Sequence, residues 1–294
     1  MDAIPREAAQ AIGVKINLRY LPSGMRDTLR LRNLVSRVRF RKPTLRLYMN
    51  HLTYLRHRTF RKVQIRVFVT HFDDFQILTS RDIDKLKCVD KFLVQNSGMK
   101  KTLMQLGIRN ENIQVVYGAV SNREFSPLQN ISEIKRNQIL IIGDCKPRKN
   151  PLAIEATVRS NQNFNFVIHG KNWDKFTSLA EAPPPNVTIL EFNSDQHPRL
   201  VRESVAILSL ASNEGGPFPL LEALASGTPI VATSTGFAPD LIDETNGVLL
   251  SANPNPTEIK IALQVCPKLK ESIWNQDMTR GKFSWAAMGE VLFK

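Results

Sequence analysis

The sequence predicts an α/β fold built on doubly wound parallel sheets, and three observations lead there. Short apolar, β-rich runs recur along the chain, helical patterns lie between them, and several runs are unbroken where a half-exposed strand would alternate. An unbroken run suits a parallel strand covered by helices on both faces. The strands expected are Ile65–Thr70, Phe92–Gln95, Gln114–Tyr117, Gln138–Ile142, Phe164–His169, Val187–Leu190, Ala206–Leu210, Pro229–Thr233 and Gly247–Leu250. The helices expected are Gly98–Leu106, Pro151–Arg159, Pro198–Ser204, Pro217–Ser226 and Thr257–Val265. Prolines at or near the first position of three of them are start signals, because the missing N–H has no partner there anyway. The βαβαβ order of the second half implies the doubly wound arrangement.

Length and composition fit two soluble domains. The 294 residues can bury a sizeable core, and no apolar run approaches the roughly 20 residues needed to cross a bilayer. The polar, irregular stretch 121–137, with Pro127 inside it, is the expected linker. It divides the chain into domains 1–128 and 129–294, with an amphipathic segment 282–294 expected to pack back on the first. The N-terminus has no basic segment followed by an apolar one, so a secretory signal is not expected. Cys88, Cys145 and Cys266 stand far apart in no CxxC pair, which fits a reducing cytoplasm and neither a disulfide framework nor a zinc site.

The net charge of +13 is unevenly placed. Residues 1–70 carry 16 Lys and Arg against 3 acids, and the remaining residues carry 24 of each sign. The run Arg26, Arg30, Arg32, Arg37, Arg39, Arg41, Lys42 and Arg46 is either a solvated basic face or a contact for nucleic acid or anionic lipid. Nucleic acid is not an expected partner, because no helix-turn-helix, zinc-finger or RNP-like sequence accompanies the charge.

The chemistry concentrates between Val205 and Leu250. A strand VAILSL ends in Ala211-Ser212-Asn213, the turn Glu214-Gly215-Gly216 follows, and a helix starts at Pro217. Ligands of open parallel sheets bind beyond the carboxyl ends of the strands, which is where Glu214 stands. The two glycines allow close backbone approach, and the free N–H groups at a helix start suit hydroxyl or phosphate oxygens. Glu222 lies within that helix beside Leu220, Leu221 and Leu224. A carboxylate there is costly unless paired, and sugar or ribose hydroxyls are natural partners.

The stretch NEGGPFPLLEALASGTPIVATSTGFAPDLI (213–242) resembles the donor-site signature of the retaining glycosyltransferases of family 4, which have the GT-B fold. The matching residues are Glu214, Glu222, the Ala-rich helix end, Gly227-Thr228-Pro229-Ile230-Val231, Gly236 and Asp240. IIGDCKPRKNPLAIEA (141–156) is similar to the family's strand, loop and helix carrying a basic pair for the donor diphosphate. Lys149 falls on the lysine position. The arginine position is occupied by Asp144, so Arg148 or Lys146 is left to supply the second cation. Residues 89–127, with the loop Tyr117-Gly118-Ala119-Val120, and the final KFSWAAMGEVLF extend the likeness over about residues 65–294. The family's opening glycine-rich turn has no good counterpart among the first 64 residues. The resemblance therefore implies two Rossmann-like domains facing a cleft, the N-terminal one abbreviated or lacking its beginning.

What the resemblance implies for function is transfer of a hexose-like sugar from a nucleotide diphosphate donor to a glycan or lipid-linked acceptor, with retained configuration. Glu214, Lys149 and His71 take the catalytic places. Glu222, Gly215, Gly216, Phe218, Pro219, Leu220, Arg148 and Gly143 take the donor-binding places. No cofactor or metal is implied, the nucleotide sugar being a co-substrate. Asp73 and Asp74 superficially suggest a metal pair, but adjacent carboxylates at a strand end point to opposite sides. His51, His57, His169 and His197 show no ligand spacing. The expected location is cytoplasmic, with a peripheral association at an anionic membrane. Two other readings stand at this point: another GT-B sugar-nucleotide enzyme such as an epimerase or phosphorylase, which the Glu-x7-Glu spacing disfavours, and a non-catalytic GT-B-fold protein binding nucleic acid or an anionic membrane through its basic N-terminal segment.

Overall fold

The computed structural model describes residues 45–48, 51–56, 64–69, 78–175, 177–179, 181–279 and 281–293, together with Gln10. Ten strands form two sheets within these residues, and every pairing is parallel.

The first sheet has the order β1-β2-β3-β4, with β1 Leu45–Tyr48, β2 Gln64–Val69, β3 Lys91–Val94 and β4 Ile113–Val115. Helices α1 (His51–Arg56), α2 (Ser80–Leu86) and α3 (Ser97–Gln105) connect them. Successive strand side chains point to opposite faces. Val67, Val69, Phe92 and Val94 accordingly pack with Leu86, Met99 and Leu103, while Phe68 and Leu93 pack with Met288 and Leu292 of the closing helix Trp285–Phe293. Arg66, itself buried, ties that helix down by donating from Nη1 to the Val291 carbonyl at 2.9 Å. The end of the chain thus supplies one side of the first sheet's core.

The second sheet comprises β5 (Lys135–Ile142), β6 (Asn165–His169), β7 (Val187–Leu190), β8 (Ser204–Ser209), β9 (Ile230–Thr233) and β10 (Gly247–Leu250). Its spatial order is β7-β6-β5-β8-β9-β10. The chain winds outward from β5 to β7, returns to lay β8 beside β5, and winds outward the other way. The topological switch point therefore lies between β5 and β8. Both faces are covered, as the apolar runs require. Ile139 and Ile141 meet Ile154 and Val158 of α4 (Pro151–Ser160) on one face. Leu140, between them, meets Val201 of α5 (His197–Glu203) and Leu220, Leu221 and Leu224 of α6 (Phe218–Ala225) on the other. Each fully buried aliphatic side chain contributes ~1.5–3 kcal/mol, so the three consecutive residues of β5 hold it against helices on both sides.

Several elements depart from the sequence-based expectation. Strand β1 and helices α1 and α2 were not foreseen, nor was the single turn α7 (Ala238–Leu241). Strand β5 starts at Lys135, which pairs with Ser204 before a register shift ahead of Ile139. The helix expected to end at Val265 is α8 (Pro256–Ile273), which runs on through Pro267. Its extra turns carry Lys270, 1% exposed, under the sheet. The Lys270 Nζ donates to Arg202 O at 2.9 Å, Gly227 O at 3.0 Å and Thr228 Oγ1 at 2.8 Å. These carbonyls lie just at or beyond the C-terminal ends of α5 and α6, where unpaired carbonyls favour a cation. Burial nevertheless pushes the Lys270 ammonium down to about 7.

Candidate functional site

Two loops leave the sheet side by side at the switch point. The first, Gly143–Asn150, follows β5, makes one 3₁₀ turn over Pro147–Lys149, and enters α4 through Asn150 in the left-handed conformation (φ 55°). The second, Leu210–Pro217, follows β8 and leads into α6. A backbone contact pins the loops together, and a side chain at the end of β9 holds the second loop. Ser212 N–H donates to the Arg148 carbonyl at 2.9 Å, and Thr233 Oγ1 holds the Ala211 carbonyl at 2.5 Å. Gly143 has φ +124°, strained for any residue with a Cβ, and a Cβ there would lie 3.3 Å from Lys149 Cε. Glycine at this position leaves the lysine its place.

Charge converges on Glu214. Its Oε1 lies 2.5 Å from Arg148 Nη1 and 2.6 Å from Lys149 Nζ, and its side chain is only 8% exposed. These are ion-pair contacts without hydrogen-bond alignment at Oε1. Two cations on one carboxylate leave the cluster with a net positive charge. Arg148 Nη1 also reaches the Asn213 carbonyl at 3.4 Å. Asp144 is engaged elsewhere, its Oδ1 accepting from Lys171 N–H at 3.1 Å. Arg148, four residues on, is thus the second cation beside Lys149. At the start of α6, Pro217 precedes the helix and Phe218, Pro219 and Leu220 form its first turn; the Leu220 N–H returns to the Pro217 carbonyl.

Glu222, on the next turn of α6, has an imidazole partner. His197 Nε2 lies 2.9 Å from Glu222 Oε2, and His197 Nδ1 lies 3.2 Å from His169 Nδ1. His169 Nε2 in turn accepts from Asn193 N–H at 2.9 Å. Both rings are buried, and Phe192 stacks on His169 with 4.9 Å between centroids. Burial, and then the neighbouring His197, hold the His169 pKa below its ordinary value, while the Glu191 carbonyl acts the other way.

The first sheet closes the other side. Asn96, the N-cap of α3, donates from Nδ2 to the Gly215 carbonyl at 2.8 Å. Ser97 N–H donates to Asp240 Oδ2 at 2.7 Å, and its hydroxyl donates to Asp240 Oδ1. Burial, and then Asp240, raise the pKa of Tyr117, whose ring meets Phe237 edge-on. Gly216 approaches the first sheet so closely that a Cβ would come within 2.8 Å of Gln95 Nε2.

The structure therefore brings Gly143, Arg148, Lys149, Glu214, Gly215 and Gly216 into one place, with Phe218, Pro219, Leu220 and Glu222 on the helix beside them. His71, Asp73 and Asp74 lie outside the described residues. Among the described residues no group of three or more His, Cys, Asp and Glu is placed to hold a metal ion. Sequence reasoning missed His169, His197, Asn96 and Ser97. His169 and His197 are 28 residues apart and carried no spacing signal; only the fold, by laying β6 next to α5, pairs them. Chemically, a cationic corner and a carboxylate on adjacent turns suit a ligand with an anionic end and a hydroxylated end.

Residues 122–270, just over half of the chain, match the family model described as glycosyl transferases group 1. A curated relative, the lipopolysaccharide 1,6-galactosyltransferase of Escherichia coli K12, is 23% identical over 201 residues, which are 64% of this chain and 56% of the relative. The chain thus spans little more than half the length of that relative. Among solved structures, Anabaena HepE in complex with UDP-glucose superposes with a TM-score of 0.63 at 14% identity, covering 78% of this chain and 71% of that one. A glycosyltransferase from Rickettsia africae superposes with a TM-score of 0.69 at 14% identity, covering 95% and 83%. At these identities the likeness is one of fold: two Rossmann-like parallel-sheet units, as in GT-B glycosyltransferases.

Proposed function

Since the chain belongs to the glycosyl transferases group 1 family, we propose that it is a glycosyltransferase that moves a hexose-like sugar from a nucleotide diphosphate donor to a glycan or lipid-linked acceptor, with retention and without a metal ion. The observation that carries this reading is the Arg148–Lys149–Glu214 cluster at the sheet's switch point, one helical segment away from Glu222. The HepE complex with UDP-glucose and the galactosyltransferase relative favour a nucleotide sugar as the ligand class.

In this mechanism the donor's diphosphate lies at Lys149 and Arg148, and its ribose hydroxyls lie at Glu222. As the bond from the anomeric carbon to the diphosphate oxygen breaks, negative charge grows on the leaving group, and the two cations stabilise it where a metal ion would otherwise be needed. The diphosphate departs on the face that the acceptor hydroxyl enters, and its oxygen takes the acceptor's proton. Glu214, released in part from its cations by the phosphates, binds a donor-sugar hydroxyl. Backbone N–H groups of Gly216 and Phe218 hold further hydroxyls, and Pro217 has none to offer. The contacts of Asn96 and Ser97 with Gly215 and Asp240 hold the two sheets over the donor, which keeps water from hydrolysing it. His71 enters on the sequence resemblance alone, as the candidate for the histidine role at the donor sugar.

The basic first 70 residues support an acceptor at an anionic membrane surface, with the protein bound peripherally at the cytoplasmic face. No helix among the described residues is long and apolar enough to cross a membrane. Flotation with anionic liposomes tests this part: binding at low salt, lost at high salt, is expected.

The test of the main reading is a panel of UDP-, GDP- and ADP-sugars, read by thermal shift and by nucleoside diphosphate release. A ligand at about a hundred times its Kd stabilises the fold by about 2.7 kcal/mol, several degrees in melting temperature. One nucleotide family should give that shift and slow release even without acceptor. Absence of both across the panel would reject the proposal.

A further inference from the structure

The hydrogen bonds behind Glu222 determine where the protons of His169 and His197 sit. A backbone N–H can only donate, so the Asn193 N–H at 2.9 Å requires His169 Nε2 to be unprotonated. A neutral imidazole then carries its hydrogen on Nδ1, which faces His197 Nδ1 at 3.2 Å. His197 Nδ1 must accept, so the hydrogen of His197 lies on Nε2 and is donated to Glu222 Oε2 at 2.9 Å. One backbone group thereby sets the tautomer of two buried rings in series. Phe192 stacked on His169 and Phe125 edge-on to His197 wall the pair on their flanks. Beyond His197, no other hydrogen-bond partner of the Glu222 carboxylate is found among the described residues, and the side chain is 18% exposed.

We propose that His169 and His197 are positioning residues, a backbone-keyed pair of neutral imidazoles that anchors one oxygen of Glu222 so that the carboxylate is held ready for a vicinal diol, the 2′- and 3′-hydroxyls of the donor's ribose. The proposal rests on the assignment of the ribose to Glu222 made above. An unanchored glutamate on a helix surface loses rotamer freedom when it grips a diol; the His197 N–H removes that cost before the ligand arrives. The direction of the relay also excludes a second proton between the rings, because two Nδ1–H groups would face each other. The buried, depressed His169 agrees with that arrangement.

The test is the Kd of uridine diphosphate and of 2′,3′-dideoxyuridine diphosphate, measured by titration calorimetry on wild type, His197→Leu, His197→Gln, Glu222→Ala and the double variant His197→Leu/Glu222→Ala. Loss of a charge-assisted hydrogen bond predicts about tenfold weaker uridine diphosphate binding in His197→Leu, with His197→Gln, which keeps a donor, within about threefold of wild type. The dideoxy nucleotide should show no such loss, and His197→Leu should add nothing on the Glu222→Ala background. Equal losses for both nucleotides, additive losses in the double variant, or no loss in His197→Leu would overturn the relay. Unchanged affinity in Glu222→Ala would instead overturn the ribose assignment beneath it. Nitrogen-15 spectra of the histidines give a ligand-free readout that needs no variant: His169 protonated on Nδ1 and His197 on Nε2 at neutral pH. The opposite tautomers, or a cationic ring, would contradict the proposal even if no nucleotide binds.

Discussion

Replacing Lys149 with methionine removes one of the two cations that the mechanism relies on, and the geometry separates its contribution from that of Arg148. Lys149 is 17% exposed and Arg148 is 38% exposed, although both lie about equally close to Glu214. A unit charge about 4 Å from the charge growing on the leaving diphosphate is worth ~4 kcal/mol at the effective dielectric of a partly enclosed site. Removal of a preorganised stabilising group of this kind costs ~2.7–4 kcal/mol, a factor of ~10²–10³ in kcat. Solvent screens the more exposed guanidinium, so Arg148→Met is expected to cost only about tenfold. Stability should change little in either variant, by about 1 kcal/mol at most, because Glu214 keeps one cation. The assay is the initial rate of nucleoside diphosphate release with the best donor of the panel, alongside thermal melting. A Lys149→Met enzyme within threefold of wild type, or an Arg148→Met enzyme impaired as much as Lys149→Met, would show that the two cations do not divide the leaving-group charge in this way.

Three further outcomes follow from the same geometry. Gly216→Ala places a Cβ 2.8 Å from Gln95 Nε2 and 3.0 Å from Phe237 Cδ1; a loss of ~1–3 kcal/mol in melting experiments is expected, with part of it recovered in a Gly216→Ala/Gln95→Ala double variant. Asp240→Asn removes the anion that caps α3 across the two sheets, so stability should fall by ~0.5–2 kcal/mol and kcat should fall with it; an unchanged melting temperature would contradict the contact. Lys270 has its folded pKa pushed down to about 7 from 10.5, so between these values the unfolded chain binds more protons and stability rises with pH. Urea titrations should show a slope of up to ~1.4 kcal/mol per pH unit between pH 7 and 8.5 that disappears in Lys270→Met; matching profiles would mean that the three oxygens around Nζ hold the charge fully.

The second sheet was legible because its strands are buried on both faces. Ile139-Leu140-Ile141 and the run from Val205 to Leu208 leave nothing polar between apolar residues, and Pro151, Pro198 and Pro217 mark the helices between them. The first sheet was harder to read. Strand β1 has Arg46 among its four residues, and α2 buries only Leu86, so neither shows a clear period. Pro267 disguised the length of α8, since a proline normally ends the pattern it sits in. At the site, the sequence pointed to Lys149 and to Glu214 with its glycines directly, and to Arg148 only as one of two candidates with Lys146. The contacts that depend on packing were not. Ser97 and Asp240 are 143 residues apart, and the His169–His197–Glu222 series joins three elements through buried side chains that are individually unremarkable in sequence. Long-range pairing of polar groups leaves no periodic trace, whereas burial of apolar ones does.

The decisive experiment on the donor site is a crystal structure of the chain with uridine diphosphate, or with whichever nucleoside diphosphate binds best. Ribose hydroxyls are expected within about 3.2 Å of the Glu222 carboxylate, and phosphate oxygens at hydrogen-bond distance from Lys149 Nζ and the Arg148 guanidinium. A nucleotide bound away from the β5–β8 switch point, with Glu214 still closed on both cations, would contradict this placement.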